Sequence, residues 1–126
     1  MVEVINENIL RCRAEFEAIH AYNDYTKIYV NPNPPTISIL IKSIIGIELI
    51  KEVYPYYTGV IPNLVELADG ARGYNFYKVI VTVGYSADGN NRMKDYGFYF
   101  STISNAEEFR CMIEREWSEQ NSIFTY

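Results

Sequence analysis

The sequence predicts an α+β domain: an antiparallel β-sheet with a long central hairpin, over about 76–102, packed against an N-terminal and a C-terminal α-helix. Two extended segments with alternating apolar residues flank a polar loop, which indicates the hairpin. Apolar residues with helical spacing near each end of the chain indicate the two helices. A chain of 126 residues is close to the commonest domain size, so residues 1–126 are predicted to form one domain.

The N-terminal helix is predicted over about 4–20. Its apolar residues lie three or four positions apart and would form one stripe on a helix: Ile5, Ile9, Cys12, Phe16 and Ile19. A short strand over 26–30 is predicted next. The segment 31–35 contains three prolines, which cannot donate backbone hydrogen bonds, so we expect a turn that ends this strand.

The segment 36–53 is predicted to be β structure, as two strands or as one strand bent near 43–46. Its large apolar residues fall at odd positions, which is the period of a strand: Ile37, Ile39, Ile41, Ile45, Ile47 and Leu49. A buried helix over 44–54 is the alternative, because periodicity distinguishes isoleucine-rich runs poorly. Two prolines and a glycine then predict a loop over 54–62, and 63–69 is either a short helix or a strand.

The predicted hairpin follows. On its first strand Tyr77, Val79, Val81, Val83 and Tyr85 share one face, as do Tyr96, Phe98 and Phe100 on the returning strand. Between them lies a polar loop that contains Asp-Gly and Asn-Asn, typical of a hairpin turn. One face of the sheet must pack on the helices, so some of the tyrosine rings are expected on the other face.

The C-terminal helix is predicted to begin with a capping box at Ser104–Glu107. In that motif the serine hydroxyl accepts a hydrogen bond from the glutamate amide, and the glutamate side chain bonds back to the serine amide. An apolar stripe follows on a helix of about four turns: Phe109, Met112, Ile113 and Trp117.

Composition argues against several classes of function. The net charge is −5 at pH 7, with a pI near 4.8, which disfavours direct nucleic-acid binding and attachment to an anionic membrane surface. No apolar stretch is long enough for a membrane-spanning helix, and the N-terminus carries acids where a signal peptide carries basic residues. We therefore expect a cytoplasmic protein, in the host cytoplasm if it is phage-encoded.

No catalytic, cofactor-binding or metal motif is found in the sequence. His20 is the only histidine, and Glu17 and Asp24 could lie near it as in a general base; the same pattern is typical of a polar helix end. Cys12 and Cys111 are predicted to be buried structural thiols, with a disulfide between the terminal helices or a redox switch as alternatives. We therefore predict no catalytic residues, no cofactor and no metal.

The candidate interaction residues are tyrosines, a basic hairpin tip and a set of acids. Twelve tyrosines are unusual, and tyrosine is common at interfaces because it offers a large contact area at low entropic cost. The C-terminal helix carries five glutamates against two arginines between 104 and 120. The predicted contact residues are Tyr54, Tyr56, Tyr57, Tyr99, Arg92, Lys94, Glu108, Glu114 and Glu116.

Together these features predict a non-enzymatic, acidic protein-interaction protein, an inhibitor or adaptor. Its partner would be another macromolecule, such as a basic nucleic-acid-binding protein. Proteins of this size and charge without catalytic motifs are frequent among phage and mobile-element inhibitors, including anti-CRISPR proteins and nucleic-acid mimics, which is an analogy of class. Two alternatives remain: a small-molecule-binding domain or enzyme with a tyrosine-lined pocket, and a homodimeric structural module.

Overall fold

The computed structural model describes residues 1–21, 24–55 and 73–123, and side chains over 1–18, 30–52 and 76–119. These residues form mostly antiparallel β-structure with one C-terminal helix, an α+β architecture. The elements are β1 (Val2–Asn6), β2 (Ile9–Arg13), β3 (Glu17–Ala21), β4 (Asp24–Asn31), β5 (Thr36–Leu40), a 3₁₀ turn (Ile41–Ser43), β6 (Ile44–Pro55), β7 (Gly73–Ala87), β8 (Asn90–Phe100) and α1 (Ile103–Ile123).

The described strands form three antiparallel sheets. One contains β1, β2 and β5 in the order β1-β2-β5, a second pairs β3 with β4, and a third has the order β6-β7-β8. A single bridge between Phe16 and Tyr99 joins the segment before β3 to the outer edge of β8. The long third sheet and α1 carry most of the candidate contact residues.

The predicted N-terminal helix is wrong: this part of the chain forms β1, β2 and β3. Leu10 and Cys12 are fully buried whereas Arg11 and Arg13 are exposed, which is the alternation of a strand. Ile5 is 40% exposed and lies on no common apolar face with Cys12. The helical spacing misled because β2 gains its hydrogen bonds from β5, a pairing that local periodicity does not contain.

The prediction of β structure over 36–53 is confirmed, and the alternative helix over 44–54 is wrong. Strands β5 and β6 are separated by the 3₁₀ turn, close to the expected bend. The register against β7 shifts between Ile44 and Gly46, so an extra residue bulges from β6. As a result Ile44 is buried and Ile45 is 51% exposed, so Ile45 departs from the odd-position pattern, whereas Ile47 and Leu49 pack against the core.

The core lies between α1 and one face of the β6-β7-β8 sheet, and it extends to β1, β2 and β5. Phe109 of α1 packs on Phe98 and Phe100 of β8, with ring centroids 4.8 and 4.9 Å apart. The buried core residues are Val2, Leu10, Cys12, Ile39, Ile41, Ile44, Val79, Val81, Val83, Phe98, Phe100, Ala106, Phe109 and Ile113.

Helix α1 begins at Ile103, so the predicted capping box at Ser104 is wrong. The Thr102 hydroxyl accepts a hydrogen bond from the Asn105 amide (3.3 Å), which makes Thr102 the N-cap. Glu107 instead pairs with Arg110. The helix has 21 residues rather than about four turns, and it starts almost directly after β8.

Candidate interaction surfaces

The structure places the predicted contact residues on separate surfaces. Glu108, Glu114 and Glu116 lie on α1, whereas Arg92 and Lys94 lie near the turn between β7 and β8. Tyr99 also belongs to β8 but faces the other side of the sheet, because its position has the opposite parity. Tyr54 lies in β6 with its side chain outside the described set, and Tyr56 and Tyr57 lie outside the described residues.

Helix α1 carries an excess of negative charge. Of its two arginines, Arg110 forms an ion pair with Glu107 (Nη2–Oε2, 2.5 Å), and Arg115 lies 3.8 Å from Glu116. Glu108 is exposed and Glu114 is half-buried, while the side chain of Glu116 is only 19% exposed. Both arginines are therefore engaged by glutamates of the same helix, and the surface keeps a net charge of −3 from five acids and two bases.

Arg92 and Lys94 lie close to the turn that joins β7 to β8. The turn residues Asp88 and Gly89 both have positive φ, 52° and 78°, as in the two-residue type I′ turn. Arg92 is paired across the strands with Tyr85, and the Lys94 ammonium lies 4.9 Å from the centroid of the Tyr96 ring. Two exposed cations therefore stand beside two tyrosines at this end of the sheet.

Tyr99 belongs to an aromatic cluster on the face of the sheet opposite α1. Its ring centroid lies 6.0 Å from that of Phe16 and 6.3 Å from that of Phe76. The Lys78 ammonium is 5.1 Å from the Tyr99 centroid and 3.7 Å from a carboxylate oxygen of Glu52. Tyr99 thus packs the segment before β3 onto the sheet, and it is not continuous with the acids of α1.

The contacts of Tyr99 and Lys78 on the face of the sheet opposite α1 were not predicted from the sequence. Gly97 lies diagonally from Lys78, and the Lys78 side chain crosses directly above it. A sequence feature that could have indicated this contact is a glycine inside a strand, which often marks a close approach by another group.

The two cysteines have different environments. Cys12 in β2 is fully buried, and this burial raises the pKa of its thiol to about 11. Cys111 is exposed on α1, so the prediction that both thiols are buried is wrong for Cys111. Both are free thiols in the structure. His20 lies in β3 rather than at a helix end, and its side chain is outside the described set.

A cavity of about 620 Å³ lies where β1 and β2 approach the first turns of α1. Its apolar lining includes Val2, Pro34, Phe100, Phe109 and Met112, and Arg13, Glu15, Asn105 and Glu108 also line it. No tyrosine lines it among the described residues, in contrast to the predicted tyrosine-lined pocket.

In the described part of the chain, no group of three histidine, cysteine or carboxylate side chains could hold a metal ion. No helix among the described residues is long and apolar enough to cross a membrane. Comparison with protein-family models, with curated proteins and with solved structures finds no match for this chain.

Proposed function

We propose that this protein is a non-enzymatic inhibitor or adaptor that binds a basic macromolecular partner through α1. The observation that carries the proposal is the internal pairing of Arg110 and Arg115 with glutamates of the same helix, which leaves an acidic excess along α1. The partner that best complements this surface is a protein with a basic groove of the kind that binds nucleic acid.

The physical basis of such binding is complementary charge on a rigid element. Helix α1 is held on the sheet by the buried side chains of Ala106, Phe109 and Ile113, so its glutamates are presented at fixed spacing. Attraction between exposed charges raises the association rate and weakens with salt, because the Debye length falls to about 8 Å at 0.15 M. Binding through this surface should therefore be strongly salt-dependent.

The test is a matched pair of charge-neutralised variants. In the first, Glu108, Glu114 and Glu116 of α1 are changed to glutamine. In the control, Glu3, Glu48 and Asp88, which lie outside α1, are changed to glutamine, glutamine and asparagine, so the net charge changes equally. Affinity capture from lysate at low and high salt identifies partners, and binding of each purified partner is then measured by calorimetry.

We expect the α1 variant to lose binding and the control to retain it, with nucleic acid competing for the same partner. Equal binding by wild type, α1 variant and control would contradict the proposal. Loss of binding in both variants would show that total charge, rather than the surface of α1, is responsible.

A second candidate function is supported by the cavity beside α1. Its volume of about 620 Å³ lies within the range of small-molecule sites, and its largest lining side chains are apolar. An apolar ligand there should raise the melting temperature, and Met112→Trp should abolish that rise by filling the cavity. If the ligands found in a fragment screen stabilised wild type and Met112→Trp equally, this candidate function would be contradicted.

A further inference from the structure

We propose that the outer edge of β8, over residues 91–97, is a strand-addition site for an extended acidic segment of a partner protein. The site is independent of the acidic surface of α1, and it has the opposite charge. Three observations carry it: the direction of the β8 backbone groups, an existing contact at one end of the edge, and the placement of Arg92 and Lys94.

The register fixes which backbone groups of β8 point outward. A two-residue turn closes on a hydrogen-bonded pair, here Ala87 and Asn90, and hydrogen-bonded pairs then alternate along the ladder. Even-numbered residues of β8 therefore bond to β7, and odd-numbered residues direct their N–H and C=O groups away from it. The Tyr99 carbonyl accordingly accepts hydrogen bonds from the Glu15 and Phe16 amides (3.1 and 3.4 Å).

Toward the turn this edge is open in the described structure, and at its Gly97 end Glu17 and Ala18 line a small pocket beside it. Asn91, Met93, Asp95 and Gly97 are all exposed, and no residue that the structure describes pairs with their outward backbone groups. The bridge at Phe16 shows that the edge accepts an antiparallel chain at its Tyr99 end. An extended segment can therefore occupy the remaining positions as a fourth strand of the sheet.

The side chains along the edge specify an acidic partner. Arg92 and Lys94 are two residues apart, so they lie on one face, and Met93 between them points to the other face and is 71% exposed. The Asp95 carboxylate already accepts a hydrogen bond from the Thr82 hydroxyl (2.6 Å). A strand with carboxylates at alternate positions and an apolar residue between them would place opposite charges across from both cations.

A second copy of the chain is a poor occupant of the same edge. In a symmetric antiparallel pair, odd-numbered residues of the edge lie opposite odd-numbered residues of the copy, and even-numbered residues opposite even-numbered ones. The two-fold axis therefore passes beside one residue, which faces its own copy. Centring on Met93 sets Arg92 against Lys94 of the copy, and centring on Arg92, Lys94 or Asp95 sets that residue against itself. Each of these four arrangements opposes like charges, which destabilises cross-strand pairing. Centres nearer the ends of the edge pair fewer residues, because the turn at Asp88 and Gly89 and the bridge at Tyr99 bound the open edge. The occupant that best fits the edge is therefore a different protein.

The test uses three synthetic peptides and isotope-labelled protein. The probe is the capped peptide Ser-Thr-Glu-Val-Glu-Val-Thr-Ser. One control has the same composition with its glutamates adjacent, Ser-Thr-Val-Glu-Glu-Val-Thr-Ser, and a second has lysine in place of glutamate. We expect the probe to slow amide exchange selectively at residues 91, 93, 95 and 97, because these amides of the open edge point outward. The adjacent-glutamate control should bind roughly two- to fivefold more weakly, since one charge pair is lost.

Two variants make the result specific to the edge. Met93→Pro removes an outward N–H but no bond to β7, so the sheet should persist and probe binding should be lost. Arg92→Glu combined with Lys94→Glu should reverse the preference, so that the lysine peptide binds better. Absence of probe binding at millimolar concentration would overturn the proposal. The proposal would also be overturned if the probe bound Met93→Pro and wild type equally while the amides at 92, 94 and 96 of the variant stayed protected. Dimerisation of the wild type through β8 would overturn it as well.

Discussion

The side chain of Lys78 on β7 crosses directly above Gly97 on β8. A Cβ atom at position 97 would lie 2.5 Å from the Lys78 Cε, closer than two non-bonded carbons can approach. The absence of a side chain at Gly97 therefore allows the Lys78 ammonium to reach both the Tyr99 ring and Glu52. Glycine at this position serves the neighbouring side chain rather than a backbone conformation.

Gly97→Ala should destabilise the protein by at most about 1 kcal/mol, because the loss of the cation–π contact and the ion pair of Lys78 is partly offset by the gain from alanine in a strand. In a Lys78→Ala background the same substitution should be neutral or stabilising, since alanine is preferred to glycine inside a strand. Urea unfolding of the four proteins gives the coupling energy. A Gly97→Ala effect that is identical in both backgrounds would show that Lys78 is not its cause.

Thr102→Ala should reduce the free energy of unfolding by about 1 kcal/mol, because the Asn105 amide loses its N-cap acceptor. Ser104→Ala is the matched control and should change stability by less than about 0.5 kcal/mol, since Ser104 lies inside α1 on its exposed side. Chemical denaturation measures both. A larger loss for Ser104→Ala than for Thr102→Ala would restore the capping box predicted from the sequence.

Stability should fall between pH 9 and 11 through Cys12. Burial raises the pKa of this thiol from 9.0 to about 11, so the unfolded chain releases the proton first and gains stability as the pH rises. The contribution is fully present below pH 9 and is lost by about pH 11, a decrease of about 2–3 kcal/mol. Cys12→Ala should decline less steeply over this range than wild type, whereas Cys111→Ala should follow wild type. If the free energy of unfolding fell equally with pH in wild type, Cys12→Ala and Cys111→Ala, the assignment of this decrease to Cys12 would be contradicted.

Thiol reactivity should separate the two cysteines at neutral pH. Cys111 is exposed on α1 and should react readily with a disulfide reagent, while Cys12 should react only on unfolding. The number of thiols modified before and after addition of urea is the measurement. Prompt labelling of Cys111→Ala, which retains only Cys12, would mean that β2 opens more easily than its packing implies.

The fold class was accessible from the sequence because alternation is a local property. The isoleucines of 36–53 predicted strands, and the apolar stripe through Phe109 and Ile113 predicted the C-terminal helix. The prediction of a helix in the N-terminal segment was wrong for the converse reason. Its apolar spacing suits a helix, but Leu10 and Cys12 become buried only when β2 pairs with β1 and β5. In this segment, pairing with a strand that is distant in sequence outweighs the local preference for a helix.

The candidate surfaces divide in the same way. By itself the sequence determined the acidic character of α1, the basic pair Arg92 and Lys94, and the abundance of tyrosine, since these depend on residue type and short spacing. Only the tertiary structure decided that Tyr99 faces away from α1 and that the Lys78 side chain lies directly above Gly97. It also decided which backbone groups of β8 remain open. These features follow from strand register and from the packing of one element on another, and both join residues that are distant along the chain.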